Sequence, residues 1–194
     1  MIKSLSNKIT SFLACNNSID IEDSEVCSYG LEIVLSSFIN LILVLFIGMI
    51  LGKFIHTLVF VGCYCSIRQY SGGYHASTHG KCIATFICMY LFTVFIVGEI
   101  DSVYLKSVVI LIGILNWISI YLLVPVEHAN NPLSDFEKSR NKKIAKIIVT
   151  VVLVTILIGL SLHKVYEYSL YGILAMVWVN FMLIIQVIKN KGEY

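Results

Sequence analysis

Apolar residues at the start of the chain recur at three- and four-residue spacing. Ile2, Leu5, Ile9, Phe12 and Leu13 fall on one face, and Lys3, Ser6, Asn7, Lys8 and Thr10 occupy the other. This pattern predicts an amphipathic helix. Two surroundings suit it: a membrane surface, where lysines meet anionic headgroups, or the loops of the chain's own bundle. Asp20, Glu22, Asp23 and Glu25 follow, a cluster that favours the positive end of a helix dipole. Beyond it the periodicity gives way to unbroken apolar runs. Residues 33–52 carry no charge, and 82–98, 107–124, 144–162 and 169–188 read as further spans. Residues 54–67 form a run of about 14, short for a hydrocarbon core about 30 Å thick. That run must tilt, continue into the polar segment after it, or re-enter without crossing. Pro125 ends the run at 107–124, because proline cannot continue helical hydrogen bonding. Asn130-Asn131-Pro132 marks a turn in the long polar loop that follows.

Composition turns this pattern into a class. The 194 residues are 58% apolar and only 13% charged, against roughly 25% charged in soluble domains. Mean hydropathy is +0.86. A soluble globular enzyme, a disordered chain and a disulfide scaffold are thereby excluded. The expected fold is all-α: a polytopic integral membrane protein of about six transmembrane helices behind an N-terminal amphipathic helix. It forms a single membrane domain over 1–194, divided into an N-terminal segment (1–28), two apolar helices (29–67), a polar segment (68–82) and the remaining helices (83–190). A net charge of +2 and the lack of a basic tract interleaved with aromatics argue against nucleic acid. Residues 1–8 have no continuous apolar core, which argues against a signal peptide.

The lysines and arginines fall unevenly. Six crossings would put Lys3, Lys8, Arg68, Lys81, Lys138, Arg140, Lys142, Lys143, Lys146, Lys189 and Lys191 on one side, and Lys53, Lys106 and Lys164 on the other. The positive-inside rule then places both termini and the 68–82 segment in the cytoplasm.

Titratable groups concentrate between Arg68 and Cys82, together with His75, His79, Lys81 and three glycines. Gly72-Gly73 permits a sharp turn before His75, and Ser77 or Thr78 can cap a helix carrying Cys82. His75 and Cys82 share a face if one straight helix holds both, but then lie about 10 Å apart along its axis. A bend at Gly80 would bring imidazole and thiol together. In the first turn of a helix, beside Lys81, the Cys82 thiolate would be favoured. The pair suits nucleophilic catalysis, with Cys82 as nucleophile and His75 as general base. A zinc set drawn from Cys63, Cys65, His75, His79 and Cys82 fits less well. Cys63 and Cys65 point to opposed faces of a helix, and no His-Glu-x-x-His element occurs. No metal and no cofactor are expected.

At these residues the chain resembles the accessory gene regulator protein B (AgrB) family, membrane cysteine endopeptidases of Gram-positive quorum sensing. The resemblance is carried by Arg68-Gln69-Tyr70-Ser71-Gly72-Gly73-Tyr74-His75-Ala76 with Cys82. A second stretch, Val124-Pro125-Val126-Glu127-His128-Ala129-Asn130-Asn131-Pro132-Leu133, supports it, followed by a lysine-rich segment. Ala129 departs from the proline often found there. The resemblance implies a cell-membrane protease that cuts a short autoinducing propeptide of the AgrD type through a Cys82 thioester. A cysteine or serine of the precursor then closes a thiolactone or lactone ring. It also implies substrate binding or loop positioning by Arg68, Gly72 and Gly73, and is compatible with a homodimer. Lys138, Arg140, Lys142 and Lys143 would complement an acidic precursor tail. The alternative from another class is a small transporter or channel with 68–82 as a polar re-entrant loop.

Overall fold

The structure is a computed structural model, and it describes residues 2–16, 24–74, 78–99, 105–127 and 134–192. Seven α-helices are present among them: α1 (Ile2–Cys15), α2 (Ser24–Ile50), α3 (Phe54–Ser71), α4 (His79–Glu99), α5 (Lys106–Leu123), α6 (Asp135–Ser161) and α7 (Tyr166–Gly192), the last preceded by a 3-10 turn at His163–Val165. Each apolar run of the sequence has become one helix. Short connections make successive helices from α2 onward run back and forth, so Ser71, His79, Leu123 and Asp135 gather at one end of the bundle. Phe54, Glu99, Lys106 and Tyr166 gather at the other.

Five helices (α2, α4, α5, α6 and α7) are long and apolar enough to cross a membrane. The chain is thus an all-α polytopic membrane protein. The short run at 54–67 continues into the polar segment, making an α3 of 18 residues. At 1.5 Å per residue this helix is about 27 Å long. One face of it packs against α7, α6 and α2. Its buried stripe is Thr57, Phe60, Val61, Tyr64, Ile67 and Ser71.

Lipid tails are as apolar as leucine, so hydrophobicity alone cannot hold such helices together. Small residues and buried polar pairs do so instead. Gly48 sits against Thr57, Gly159 against Ser169 and Gly172 against Ile156, and a β-carbon at any of the three would collide with its neighbour. The Trp178 indole N–H donates to Thr93 Oγ1 at 3.0 Å, and that of Trp117 donates to Thr150 Oγ1 at 3.0 Å. Asn180 is shared between Asn116 (2.9 Å) and Ser119 (2.7 Å). At the end away from Ser71, Lys53 Nζ meets Glu167 at 2.6 Å, and His56 lies 3.3 Å from the same carboxylate, joining the starts of α3 and α7.

The amphipathic α1 is packed in an unexpected sense. It buries polar residues, with Ser6 0% and Thr10 2% exposed, and leaves Leu5 49% and Phe12 69% exposed. Ser6 Oγ donates to the Ser28 carbonyl at 2.5 Å, and Ser28 Oγ donates to Asn7 Oδ1 at 2.7 Å, tying α1 to the first turns of α2. Of the polar strip, Ser6 and Thr10 are covered by the bundle while Lys3 and Lys8 stay exposed, and part of the apolar strip faces outward.

Candidate functional site

The site is built where α3 stops. Gly72 (φ 70°) and Gly73 (φ 107°) take backbone conformations that residues with a β-carbon resist. They turn the chain beside the segment that follows α5. Val126 N–H donates to the Ser71 carbonyl at 2.9 Å, and Gly73 N–H donates to the Val126 carbonyl at 3.2 Å, forming a single parallel bridge. The two sequence stretches that carried the resemblance, more than fifty residues apart, are thus hydrogen-bonded to one another. A third element joins them. Tyr74 N–H donates to the Met182 carbonyl of α7 at 3.1 Å. Asn190 Oδ1 accepts from Gln186 Nε2 at 2.7 Å, and Asn190 Nδ2 donates to the Glu127 carbonyl at 3.1 Å.

Arg68 lies on the last full turn of α3 and reaches back over this turn. One guanidinium nitrogen, Nη2, donates to the Tyr74 carbonyl. The other, Nη1, is buried and has no hydrogen-bond partner. It lies so close to Gly73 that a β-carbon there would strike it. Tyr64, one turn earlier, is within electrostatic reach of Arg68, Cys65 and Cys82. Cys82 in turn senses the Arg68 charge.

Cys82 is the fourth residue of α4 and is exposed. Thr78 caps this helix, its Oγ1 accepting from Lys81 N–H at 3.3 Å. Cys82 N–H donates to the Thr78 carbonyl at 3.1 Å. The thiol therefore sits in the first turn, at the positive end of the helix dipole. Gly80 is not the bend anticipated from the sequence. It lies inside α4, and the break between helices falls at Gly72-Gly73 and beyond. One glycine in a helix costs only about 1 kcal/mol, and the Thr78 cap contributes in the opposite direction. His75 and residues 128–133 of the second stretch lie outside the described residues.

Ser71 Oγ donates to the Gly72 carbonyl at 3.3 Å, and Glu127 forms an ion pair with Lys138 at 3.0 Å. Gln69 is exposed. Lys138 therefore ties the start of α6 to this seam, whereas Arg140, Lys142 and Lys143 stand exposed along the same polar turns. Among the described residues no three His, Cys, Asp or Glu side chains gather as metal ligands. Sequence reasoning missed Val126, Met182, Asn190 and Tyr64. The pair Gln186 and Asn190, four residues apart near the end of α7, was the one available signal.

A family model described as Accessory gene regulator B matches residues 6–184. The chain belongs to the accessory gene regulator B family. Among its relatives is a protein named putative AgrB-like protein 1 from Clostridium perfringens (strain 13 / Type A). It is 31% identical over 137 residues, covering 70% of this chain and 72% of the relative. The accessory gene regulator protein B of Staphylococcus aureus (strain bovine RF122 / ET3-1) is 26% identical over 172 residues, covering 87% and 89%. No solved structure matches the chain. The AgrB match takes in α2 to α6 whole, and with them every residue of the seam except Gln186 and Asn190 at the end of α7.

Proposed function

We propose that this AgrB-family protein is a membrane cysteine endopeptidase of quorum sensing, acting on a short precursor peptide of the AgrD type. Cys82 is the nucleophile, His75 its general base, and Arg68 with the Gly72-Gly73 turn shapes the ground on which the peptide lies. The observation that carries this reading is the place of Cys82 in the capped first turn of α4, within electrostatic reach of the Arg68 guanidinium at the end of α3.

Cys82 Sγ attacks a peptide carbonyl carbon while the thiol proton passes to His75. The tetrahedral intermediate collapses, breaking the C–N bond. The leaving amine takes the proton from His75, and the signal part of the precursor stays on Cys82 as a thioester. A cysteine or serine within that same segment then attacks the thioester carbonyl. The new S–C or O–C bond closes the ring, and Cys82 leaves as thiolate and is reprotonated. A thioester preserves the activation of the acyl group, so transfer to a second thiol is close to neutral, whereas closure from a free acid would be uphill. The site must keep water from the acyl-enzyme, which a membrane boundary assists.

The exposed Arg140, Lys142 and Lys143, with Lys138 beside them, suit an acidic precursor tail. The charge asymmetry favours a cytoplasmic location for this end of the bundle and for both termini. The test is processing in liposomes of a precursor encoded next to the gene. Cys82→Ala and His75→Ala should each abolish cleavage, a loss of at least about a thousandfold for groups acting as a unit. Cleavage surviving in both variants would refute the reading, and solute flux persisting in Cys82→Ala would establish the transporter alternative.

A further inference from the structure

Tyr64 is not needed by the chemistry above, and in the sequence it is one aromatic among many. Its surroundings single it out. α3 and α4 face each other through a ladder of side-chain pairs: Thr57 Oγ1 with Tyr90 Oη at 2.6 Å, the Phe60 and Tyr90 rings at 5.7 Å, and the Tyr64 and Phe86 rings edge-on at 4.9 Å. In these antiparallel helices, one further turn puts Arg68 opposite Cys82. Tyr64 is one turn from Arg68 along α3, and Phe86 is one turn from Cys82 along α4. The ring is fixed by Phe60 and Phe86, so the phenol has little freedom, and it is within interaction range of both Arg68 and Cys82. The guanidinium it faces has one nitrogen on the Tyr74 carbonyl and one buried without a partner.

We propose that Tyr64 is a positioning residue of this site, holding the Arg68 guanidinium beside the Cys82 sulfur. The inference rests on the reading of Cys82 as the reactive thiol. Among the described residues, the titratable and charged groups near Cys82 are Arg68 and Tyr64 from α3, with Lys81 adjacent on α4.

The test needs no precursor peptide. The full-length protein in detergent micelles is treated with iodoacetamide across a pH series, and alkylation is read at Cys82 and at Cys65 by peptide mass spectrometry. Tyr64→Phe keeps the ring and its packing and removes only the hydroxyl. It should lower the Cys82 alkylation rate at neutral pH by about three- to tenfold and move the Cys82 profile to higher pH, while Cys65 stays within twofold. Arg68→Gln should do the same or more, and the double variant should be no slower than Arg68→Gln alone. An unmoved Cys82 profile in Tyr64→Phe would overturn the proposal. So would a full additional loss when Tyr64→Phe is placed on Arg68→Gln, because the hydroxyl would then act without the guanidinium. Precursor cleavage by Cys82→Ala, measured separately, would refute the peptidase reading while leaving the coupling itself readable.

Discussion

A methyl group at Gly72 would land on the Val126 carbonyl oxygen, and the glycine's φ of 70° with ψ of −147° is a region that side chains avoid. The conformational cost of a non-glycine residue there is about 1–3 kcal/mol, and the collision adds to it. Gly72→Ala is therefore expected to lower the unfolding temperature in detergent and to cut precursor processing at least tenfold. Gly30→Ala serves as the control, since a β-carbon there meets nothing within 4 Å. The sequence made this pair of glycines legible as a turn, and Cys82 legible as a helix-start thiol, because both depend on local chemistry. Tyr64 was not legible. A tyrosine inside an apolar run reads as packing, and only the register between α3 and α4 reveals what its hydroxyl faces. The bend placed at Gly80 failed for a similar reason: a glycine permits a break, but the neighbouring Thr78 cap decides where the helix begins.

Helix α6 starts nine residues before the apolar run that announced it. The cause is a capping box: Ser134 Oγ accepts from Glu137 N–H at 3.3 Å, while Glu137 Oε2 accepts from Ser134 N–H at 3.0 Å. These polar turns carry Lys138, Arg140, Lys142 and Lys143 clear of the apolar stretch. Ser134→Ala is expected to cost about 0.5–2 kcal/mol of local stability, seen as faster hydrogen exchange of amides 135–138 with exchange in the rest of α6 unchanged. Glu127→Gln, which breaks an ion pair with Lys138 that is largely in water, should change stability by no more than about 1 kcal/mol. The amphipathic periodicity of α1 was readable from its spacing. The side it buries was not, because that depends on Ser6 and Asn7 finding Ser28 on α2.

At the scale of the whole molecule, the basic residues collect at the end that holds Cys82, and Lys53, Lys106 and Lys164 lie at the other. Neutralising Lys138, Arg140, Lys142 and Lys143 together is expected to reduce precursor processing and to flatten its dependence on salt, since exposed charges are screened beyond about 10 Å at 0.1 M. Processing that responds to salt as in the unmodified protein would remove the electrostatic role. Apolar runs and their order carried the fold in the sequence plainly. The joining of 71–74 to 124–127 and to α7 did not show, since no local pattern encodes which distant loop a turn will meet.

That junction has a consequence for how the protein would meet a precursor peptide of the proposed kind. Ser71, Gly73 and Tyr74 are already hydrogen-bonded to Val126 and Met182, and Glu127 to Asn190. The entropy of ordering this stretch is consequently lost during folding, so an arriving peptide has only its own freedom to surrender. A mutation that unfastens any one strand of the knot should therefore show itself as weaker capture of substrate before it shows itself as a damaged nucleophile.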